Sequence, residues 1–369
     1  MMIRVPKRAR LRIAVLAGGQ SAERGVSLAS GQHVAESLAR LGHWVVGIDP
    51  VDSPWDESEW DELHAAEHGR VAVNLPAIDP ANCRFLAARL RDVDWSAIDA
   101  CFLALHGGAG EDGRVQRFFE ELRIPFTGPG SHSAAVAMSK QATKGALRAA
   151  GVSTPHEVVF DADMPLAVLS ERAAALGFPV VVKPDGQGSS LGVGLARDRE
   201  AIAACREEVL QYGDRGLIEP FIAGREFTVA LLGREALPIV EVLVDEPVFS
   251  FAAKYDQAVH HFRVAQDMPG DEETAIRGAA VAAAAALDTR GLVRVDLRLD
   301  ESGRPWVLEL NAIPGLTQAS LAPLAARHAG WEMPEFCERL LRNCLDEVVT
   351  DGRSRRPVAE MLHCGGESR

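Results

Sequence analysis

The sequence predicts a mixed fold, α/β in its first third and α+β beyond it, on three observations. Strand-like and helix-like segments alternate over residues 11–127, the order that builds a parallel sheet covered by helices. Two β-branched or Gly-rich runs flank a Gly/Ser turn within residues 178–196, which indicates a hairpin. A second hairpin is predicted within residues 291–311, where polar and apolar residues alternate on both sides of a Ser-Gly turn.

The first region reads as strand LRIAVLAGG, a helix over residues 27–41, strands HWVVGID and AIDACFLALHGG, a helix over residues 114–122, and the short strand IPFTG. Ligands of such sheets bind at the carboxyl ends of the strands. The loops at residues 18–24 and 106–113 are therefore expected to face a common cleft. Residues 54–94 have weak periodicity, and we assign them no chemistry.

The second region begins with one helix over residues 133–150 and contains strands VSTPHEVVF, FPVVVKP, LGVGLA and GLIEPFI, with helices near residues 166–176 and 199–211. The third has strands EFTVALLG and ALPIVEVLV, an irregular stretch over residues 247–269, an Ala-rich helix near residues 272–288, the second hairpin and closing helices. The predicted division is a flexible basic tail 1–10, a parallel-sheet domain 11–130, a central lid domain 131–222, a C-terminal domain 223–349 and a flexible tail 350–369.

Composition excludes several classes of protein. A formal net charge of −13 argues against nucleic acid as a partner, because phosphate backbones are bound by clustered Lys and Arg. The six cysteines are scattered without a C-x-x-C pair, which favours a reducing cytoplasm over a disulfide framework or a zinc site. No apolar run approaches the roughly 20 residues that span a bilayer, so no membrane association is expected.

The second hairpin carries the most informative residues. In RVDLRLD the side chains of Arg294, Asp296 and Arg298 share one face, and the returning run PWVLELN places Glu309 and Asn311 on one face. Carboxylate and amide oxygens are the ligands that Mg²⁺ prefers, with water and nucleotide phosphates completing its shell. The hairpin therefore predicts a magnesium site, with a solvated charged face as the alternative.

The first hairpin is a candidate phosphate site. Lys183 ends a β-branched strand, and the loop DGQGSS that follows leaves backbone N–H groups able to close on an anion. The spacing is not that of a P-loop. A flexible turn is the alternative, but Lys140, Lys254 and the acidic hairpin favour a site for a triphosphate with divalent ions.

The segment LIEPFIAGREF is a candidate adenine site. The Pro220 carbonyl can accept from an exocyclic amine, while the N–H of Ile222, after Phe221, can donate. Glu219 and Glu226 are candidates to accept from the ribose or the amine. A strand entering a β-turn with two solvated glutamates is the alternative.

Eight motifs in order give the sequence a specific resemblance: LAGGQSAERGVSL, LHGGAGEDGRVQ, FTGPGSHSAAVAMSKQATK, FPVVVKPDGQGSSLGVG, LIEPFIAGREFTVALLG, AAKYDQ, RVDLRLD and LELNAIPGLTQASLAP. From Ile13 to about Arg342 the chain resembles the D-alanine:D-alanine ligases of the ATP-grasp superfamily. The resemblance implies three domains, an N-terminal parallel-sheet (pre-ATP-grasp) domain and two ATP-grasp domains that clasp ATP. It also implies a homodimer.

The resemblance implies that ATP converts one D-alanine to an acyl phosphate, which the amine of a second D-alanine attacks. Lys140 and Lys183 match positions that hold the α and β phosphates, and Lys254 matches one near the γ phosphate. Two Mg²⁺ ions, for which Mn²⁺ is expected to substitute, would be held by Asp296, Glu309 and Asn311. Arg294 and the Gly315 N–H would stabilise the tetrahedral oxyanion.

The amino-acid substrates have implied partners of their own. Glu23 matches the residue that binds the first ammonium, and with Ser189 and Tyr255 it matches a hydrogen-bonded trio that closes over the substrates. The Lys254-Tyr255 pair favours an amine over D-lactate as nucleophile. The second carboxylate would be received by Ser320 and Leu321, and His106 lies in a loop lining the same pocket, with a structural role as its alternative.

The sequence departs from the family after Tyr255, where it reads DQAVHHFRVAQDMP. His260, His261 and Arg263 either add cations above the phosphates or solvate a loop, and the second reading is favoured. Other functions left open are ligation of another pair of small amino acids and nucleotide binding without ligation. A dinucleotide-dependent oxidoreductase, with Asp49 as its acidic residue, is disfavoured because AGGQSAERG lacks the G-x-G-x-x-G spacing.

Overall fold

A computed structural model of the protein describes residues 10–50, 86–87, 89–243 and 262–350. The chain forms two compact units, Met1–Ser131 with Gly315–Arg369, and His132–Pro314. The predicted three-domain boundaries stay predictions. Lys254, Tyr255, His260 and His261 lie outside the described residues, as does most of each predicted tail. Within the described ranges, no helix is long and apolar enough to cross a bilayer.

The strands and helices of the described residues are numbered here in chain order. The strands are β1 Arg12–Leu16, β2 Trp44–Asp49, β3 Leu86–Ala87, β4 Ala100–Leu103, β5 Val158–Asp161, β6 Val180–Pro184, β7 Gly194–Ala196, β8 Arg215–Pro220, β9 Arg225–Leu232, β10 Glu235–Ala236, β11 Val240–Val242, β12 Phe262–Val264, β13 Leu292–Leu299 and β14 Pro305–Asn311. The helices are α1 Arg24–Arg40, α2 Arg114–Leu122, α3 Ser131–Met138, α4 Lys140–Ala149, α5 Leu166–Leu176, α6 Ala201–Leu210, α7 Gly270–Ala286, α8 Leu321–His328 and α9 Met333–Thr350.

The first unit contains the predicted parallel sheet. Its strand order is β3-β2-β1-β4, and β1 pairs in parallel with both β2 and β4. Ile13, Val15 and Leu16 of β1 are fully buried, as expected for a central strand covered on both faces. The predicted strand IPFTG is reduced to a single bridge from Phe126 to Cys101.

The second unit contains two antiparallel sheets. The smaller sheet has the order β5-β8-β6-β7, and its β6–β7 pair is the predicted first hairpin, in register from Val180 opposite Ala196 to Val182 opposite Gly194. The larger sheet runs β12-β11-β9-β13-β14, with β10 on β9. The β13–β14 pair is the predicted second hairpin, and it is confirmed with Asp296 directly opposite Glu309.

The prediction of one helix over residues 133–150 is wrong, because the chain breaks between α3 and α4 at Ser139. The backbone of Ser139 is extended, and its Oγ accepts from the Ala142 N–H as a helix N-cap. Asp185 from the Gly-rich loop reinforces the break, accepting from Ser139 Oγ at 3.0 Å and from the Gln141 N–H at 2.8 Å. Lys140 is consequently the first residue of a new helix, next to that loop.

The stretch predicted as irregular, residues 247–269, contains the described strand β12. β12 pairs with β11, with Arg263 opposite Glu241. Arg263 Nε donates to Glu241 Oε2 at 2.7 Å, and Arg225 Nε donates to Oε1 at 2.7 Å. Burial alone would raise the pKa of Glu241, but these two guanidinium groups lower it. Arg263 is thus held in a cross-strand ion pair, which is a structural role that neither reading of the sequence anticipated.

Candidate functional site

A cleft in the second unit collects residues from both of its sheets. Its empty space is about 780 Å³, part of it open to solvent. Eight predicted nucleotide or metal residues line it: Lys140, Lys183, Glu219, Phe221, Ile222, Glu226, Asp296 and Glu309. These residues span 170 positions of sequence, yet the fold brings them to one surface.

A buried cluster of three charges forms one wall of the cleft. Glu219 is 3% exposed, and its Oε1 accepts from Lys183 Nζ at 2.5 Å. Its Oε2 lies 2.8 Å from Lys144 Nζ as an ion pair without hydrogen-bond geometry. Lys144 Nζ instead donates to Thr154 Oγ1 at 3.0 Å and the Pro155 carbonyl at 3.3 Å. Glu219 is therefore clamped between two lysines, of which Lys183 lines the cleft.

The pKa values of this cluster follow from burial and from the attraction between its charges. Burial, the largest influence on Glu219, raises its pKa, but Lys144 and Lys183 together outweigh burial and leave the pKa lowered. Burial lowers the pKa of Lys144, although the Glu219 carboxylate opposes the shift. The sequence analysis assigned Lys144 no role, since its carboxylate partner Glu219 is distant in the chain.

Lys140 joins the Gly-rich loop to the acidic hairpin. Its Nζ donates to the Gln187 carbonyl at 2.5 Å and lies 3.5 Å from Glu309 Oε2. In the same loop, Ser189 and Ser190 both have positive φ angles, 51° and 57°. Left-handed backbone costs an L-residue about 1–2 kcal/mol, and such strain clusters at ligand sites. The loop is thus held in a strained conformation beside a cation.

The acidic hairpin offers two carboxylates and one amide. Asp296 accepts from Thr228 Oγ1 at 2.5 Å and, through both its oxygens, from Arg294 at 2.9 Å. Glu309 faces Lys140, and Asn311 Oδ1 accepts from the Ile313 N–H at 3.0 Å. Among the described residues, no group of three or more His, Cys, Asp or Glu side chains could hold a metal. The oxygen donors of Asp296 and Glu309 do fit Mg²⁺, which takes one or two carboxylates and completes its shell with water and phosphates.

Arg298 organises the predicted adenine segment, and sequence reasoning gave it no role. Its guanidinium donates to the Ile222 carbonyl at 2.9 Å, contacts Glu226 and lies over the Phe221 ring at 4.7 Å. One sequence pattern did point to Arg298: the alternation of side chains along β13 puts it on the same face as Asp296.

In the first unit, the two loops expected to face a common cleft are in contact. Ser21 Oγ donates to the His106 carbonyl at 2.5 Å. Gly107 has φ +67°, a backbone conformation that favours glycine, and a Cβ at this position would lie 3.1 Å from Glu23 Oε2. His106 itself is buried, 3.3 Å from Ser30 Oγ and 3.7 Å from Glu111 Oε1. Glu23 and His106 thus belong to one local arrangement.

The loop before α8 contains the remaining predicted residues. Ser320 Oγ accepts from the Thr317 N–H at 3.1 Å, and a Cβ on Gly315 would meet that oxygen at 2.8 Å. Leu321 is the first residue of α8, so its N–H has no partner within the helix and can receive an anion. Leu316 is fixed through both backbone groups, its N–H to Ser30 Oγ at 3.1 Å and its carbonyl to His33 Nδ1 at 2.9 Å. Ser30 and His33 are functional candidates that sequence reasoning missed.

Comparison with known proteins supports the same interpretation. Models described as D-ala D-ala ligase N-terminus and D-ala D-ala ligase C-terminus match residues 12–129 and 147–342. A D-alanine–D-alanine ligase of Synechococcus sp. is 35% identical over 356 residues, covering 96% of this chain and 99% of the relative. Another from Gloeobacter violaceus is 36% identical over 338 residues, covering 91% and 100%.

The chain belongs to the D-alanine–D-alanine ligase family. Solved structures agree with this assignment. A D-alanine–D-alanine ligase from Bacillus anthracis superposes with a TM-score of 0.73 at 30% identity, covering 93% of this chain and all of that one. A crystal structure of the B. anthracis ligase complexed with ATP gives 0.72 at 27% identity. The predicted family and the ATP-grasp fold class are therefore confirmed.

Membership of the D-alanine–D-alanine ligase family also explains why the oxidoreductase alternative fails. Asp49, its candidate acidic residue, accepts from the Gly19 N–H at 2.9 Å and pairs with the Arg24 guanidinium at both oxygens. This carboxylate anchors the loop after β1 to the start of α1. Its role is to fix the loop that carries Glu23.

Proposed function

We infer that this chain is an ATP-dependent ligase that joins two D-alanine molecules for peptidoglycan precursor synthesis. ATP transfers its γ-phosphoryl group to the carboxylate of the first D-alanine, giving an acyl phosphate and ADP. The amine of the second D-alanine then attacks the acyl carbon, the C–N bond forms, and phosphate leaves. The observation that carries this proposal is the cleft in which Lys140 and Lys183 lie beside Asp296 and Glu309.

Phosphoryl transfer requires positive charge where negative charge moves. In the proposal, Lys140 and Lys183 hold the α and β phosphates and Lys254 acts near the γ phosphate. Asp296, Glu309 and Asn311 hold two Mg²⁺ ions, which when bound neutralise phosphate charge. Glu309 is 3.5 Å from Lys140, and this proximity supports a common phosphate–metal site.

The adenosine is assigned to the segment around β8. The Pro220 carbonyl accepts from the exocyclic amine, and the Ile222 N–H donates to the ring. Glu226 accepts from the ribose, and Glu219 contributes mainly by holding Lys183 in place. That refinement follows from the 2.5 Å contact between Glu219 and Lys183, since a carboxylate clamped by two lysines is a weaker acceptor for a hydroxyl.

The amino-acid substrates are assigned, on the family resemblance, to Glu23, Ser320 and Leu321. Glu23 binds the first ammonium. Ser320 Oγ and the Leu321 N–H receive the second carboxylate, in keeping with the position of Leu321 at a helix N-terminus. Arg294 and the Gly315 N–H stabilise the tetrahedral oxyanion. Ser189 and Tyr255 complete closure with Glu23 over the acyl phosphate, which water would otherwise hydrolyse.

A homodimer and a cytoplasmic location are also part of the proposal. The homodimer has the family resemblance as its support. The support for the location is the state of the cysteines, since Cys101, Cys205 and Cys337 are free thiols and free thiols suit a reducing compartment.

A phosphate-release screen tests the reaction and the substrate together. Purified protein with ATP and MgCl₂ is offered D-alanine, L-alanine, other small D-amino acids and D-lactate, and the products are identified by mass spectrometry. We expect phosphate release that depends on D-alanine and yields D-alanyl-D-alanine. Release that proceeds equally with L-alanine, or ATP binding without any amino-acid-dependent turnover, would overturn the proposal.

A further inference from the structure

Arg298 is a buried cation whose position the proposed chemistry does not explain. It lies on β13 two residues after Asp296, is 6% exposed and lines the cleft. Phosphates are assigned to lysines on other elements, and the oxyanion to Arg294. Burying a guanidinium is costly unless each of its edges is satisfied, so its contacts indicate what it does.

Four of its contacts are made with the predicted adenine segment and its neighbour Glu226. Nε and one terminal nitrogen converge on Glu226 Oε2 at 3.0 and 2.9 Å, and the other terminal nitrogen donates to the Ile222 carbonyl at 2.9 Å. The guanidinium carbon lies 4.7 Å from the centre of the Phe221 ring, a stacking contact. One planar group therefore fixes a ring, a carbonyl and a carboxylate that all line the cleft.

The contact with Ile222 has a consequence for recognition of the base. The hydrogen bond from Arg298 occupies one lone pair of the Ile222 carbonyl and holds that carbonyl toward β13, so the Ile222 N–H is the group assigned to the base. Together with the Pro220 carbonyl, the segment presents one acceptor and one donor. That pattern matches a 6-amino purine, which donates from its amine and accepts at N1, and it opposes a 6-oxo purine, in which both roles are reversed.

We infer that Arg298 is a positioning residue that sets the choice of nucleobase, by holding the Ile222 carbonyl away from the base and the Glu226 carboxylate toward the ribose. The inference rests on the proposed function, because it assigns ATP to this cleft. A site built around buried hydrogen-bonding groups discriminates strongly against a ligand that leaves them unpaired. Arg298 creates that penalty for 6-oxo purines.

Arg304 provides a matched control. It is also an arginine at the same hairpin, with its guanidinium carbon 4.3 Å from the centre of the Trp306 ring. It is exposed and donates to Ser153 rather than to a cleft residue. Arg304→Met therefore removes a stacked guanidinium from the same hairpin without touching the adenine segment.

The experiment measures dissociation constants for ATP and ITP with MgCl₂ by calorimetry, and KM and kcat for both nucleotides with D-alanine. ITP differs from ATP only at the 6-position and N1 of the base. For Arg298→Met we expect ATP binding to weaken by about tenfold or more, as for loss of hydrogen bonds to a charged group. The preference for ATP over ITP should fall by a similar factor, with kcat for ATP and the KM for D-alanine nearly unchanged. Arg298→Lys keeps the positive charge but loses the planar guanidinium, so its ATP affinity and its preference for ATP over ITP should lie between those of the parent and of Arg298→Met.

The outcomes separate the inference from the proposed function. An Arg298→Met protein that binds ATP as tightly as the parent, or that loses ATP and ITP affinity equally, overturns the role in base choice. A fall in kcat alone, with unchanged affinities and reduced thermal stability, shows a structural role and also overturns it. A parent protein that binds ATP but shows no D-alanine-dependent turnover contradicts the proposed function, while the binding constants still decide the role of Arg298. Arg304→Met should match the parent throughout.

Discussion

Replacing Lys144 with methionine should destabilise the protein, because the buried Glu219 carboxylate then loses one of its two cationic partners. Lys144 is fully buried, and Glu219 beside it is 3% exposed. Methionine fills a similar volume, but it removes one of the two cations that hold Glu219 ionised. Thr154 Oγ1 and the Pro155 carbonyl also lose their donor.

The size of the effect follows from competing contributions. Breaking a buried ion pair by removing one partner costs about 3–5 kcal/mol. Lys183 remains 2.5 Å from Glu219, which favours the lower end. The burial that lowers the pKa of Lys144 shows that its own charge is costly, and methionine relieves that cost. We expect a net loss of about 2–3 kcal/mol, or roughly 5–10 °C in melting temperature for a unit of this size.

The assay is thermal unfolding by circular dichroism, without nucleotide, on Lys144→Met, Glu219→Gln and the double variant. The double variant removes the stranded carboxylate charge, so it should be more stable than Lys144→Met alone, with a coupling energy of about 2 kcal/mol. Strictly additive losses, or a Lys144→Met protein that melts within 1 °C of the parent, would refute the reasoning.

The pH dependence gives a second check with a defined sign. The pKa of Glu219 in the folded protein is lowered from its ordinary value of 4.5. Its contribution to stability is therefore fully present above pH 4.5 and is lost as the pH falls through the folded pKa. The gap in melting temperature between parent and Glu219→Gln should be constant near neutral pH and should shrink only in acid. A gap that grows on acidification would contradict the assignment.

Three further predictions concern the reaction itself. Glu309→Gln should abolish turnover, whereas Ser320→Ala should mainly raise the KM for the second D-alanine; equal loss of ATP binding in both would contradict this division of roles. Ser30→Ala removes the acceptor of the Leu316 N–H and should loosen the neighbouring Gly315. We expect kcat to fall by up to about tenfold and the KM for ATP to stay unchanged. Steady-state kinetics with each substrate varied in turn measures both constants. Removing divalent ions with EDTA should weaken ATP binding measured by calorimetry, because the phosphates must then compete with the cleft carboxylates for the same cations. Equal affinity with and without Mg²⁺ would contradict this prediction.

Local sequence patterns predicted the elements whose bounds depend on nearby residues. The helices Arg114–Leu122 and Leu166–Leu176 have the predicted limits, and the pairing of Asp296 with Glu309 follows from strand alternation across a short turn. Asp185, which is 46 positions away in the chain, reinforces the break at Ser139, and this contact could not be read from the sequence. A serine before a charged helix start is itself an N-cap signal, so the break was within reach of local rules.

In the candidate site, the residue types were predictable but their partners were not. Lys140, Lys183, Asp296 and Glu309 lie in recognisable motifs, and they do line one cleft. The sequence offered no way to see that Glu219 is clamped by Lys144, since these residues lie on different elements 75 positions apart in the chain. Nor did it reveal that Arg298 reaches Ile222, a contact across 76 positions. Long-range pairing of charges is decided by the packing of whole elements.

The pairing of charges in the cleft has its own implication for the ligand. The described lining residues include three cations, Lys140, Lys183 and Arg298, and four anions, Glu219, Glu226, Asp296 and Glu309, so their net formal charge is −1. Lys140 lies against Glu309, and Lys183 against Glu219. A polyphosphate alone would bring four negative charges to a slightly negative cleft and would compete with the carboxylates for the lysines. A metal–nucleotide complex carries both positive and negative charge. The metal ion would take the place of Lys140 beside Glu309, and a phosphate would take the place of Glu309 beside Lys140. Binding then replaces ion pairs with ion pairs, which avoids leaving any partly buried charge uncompensated.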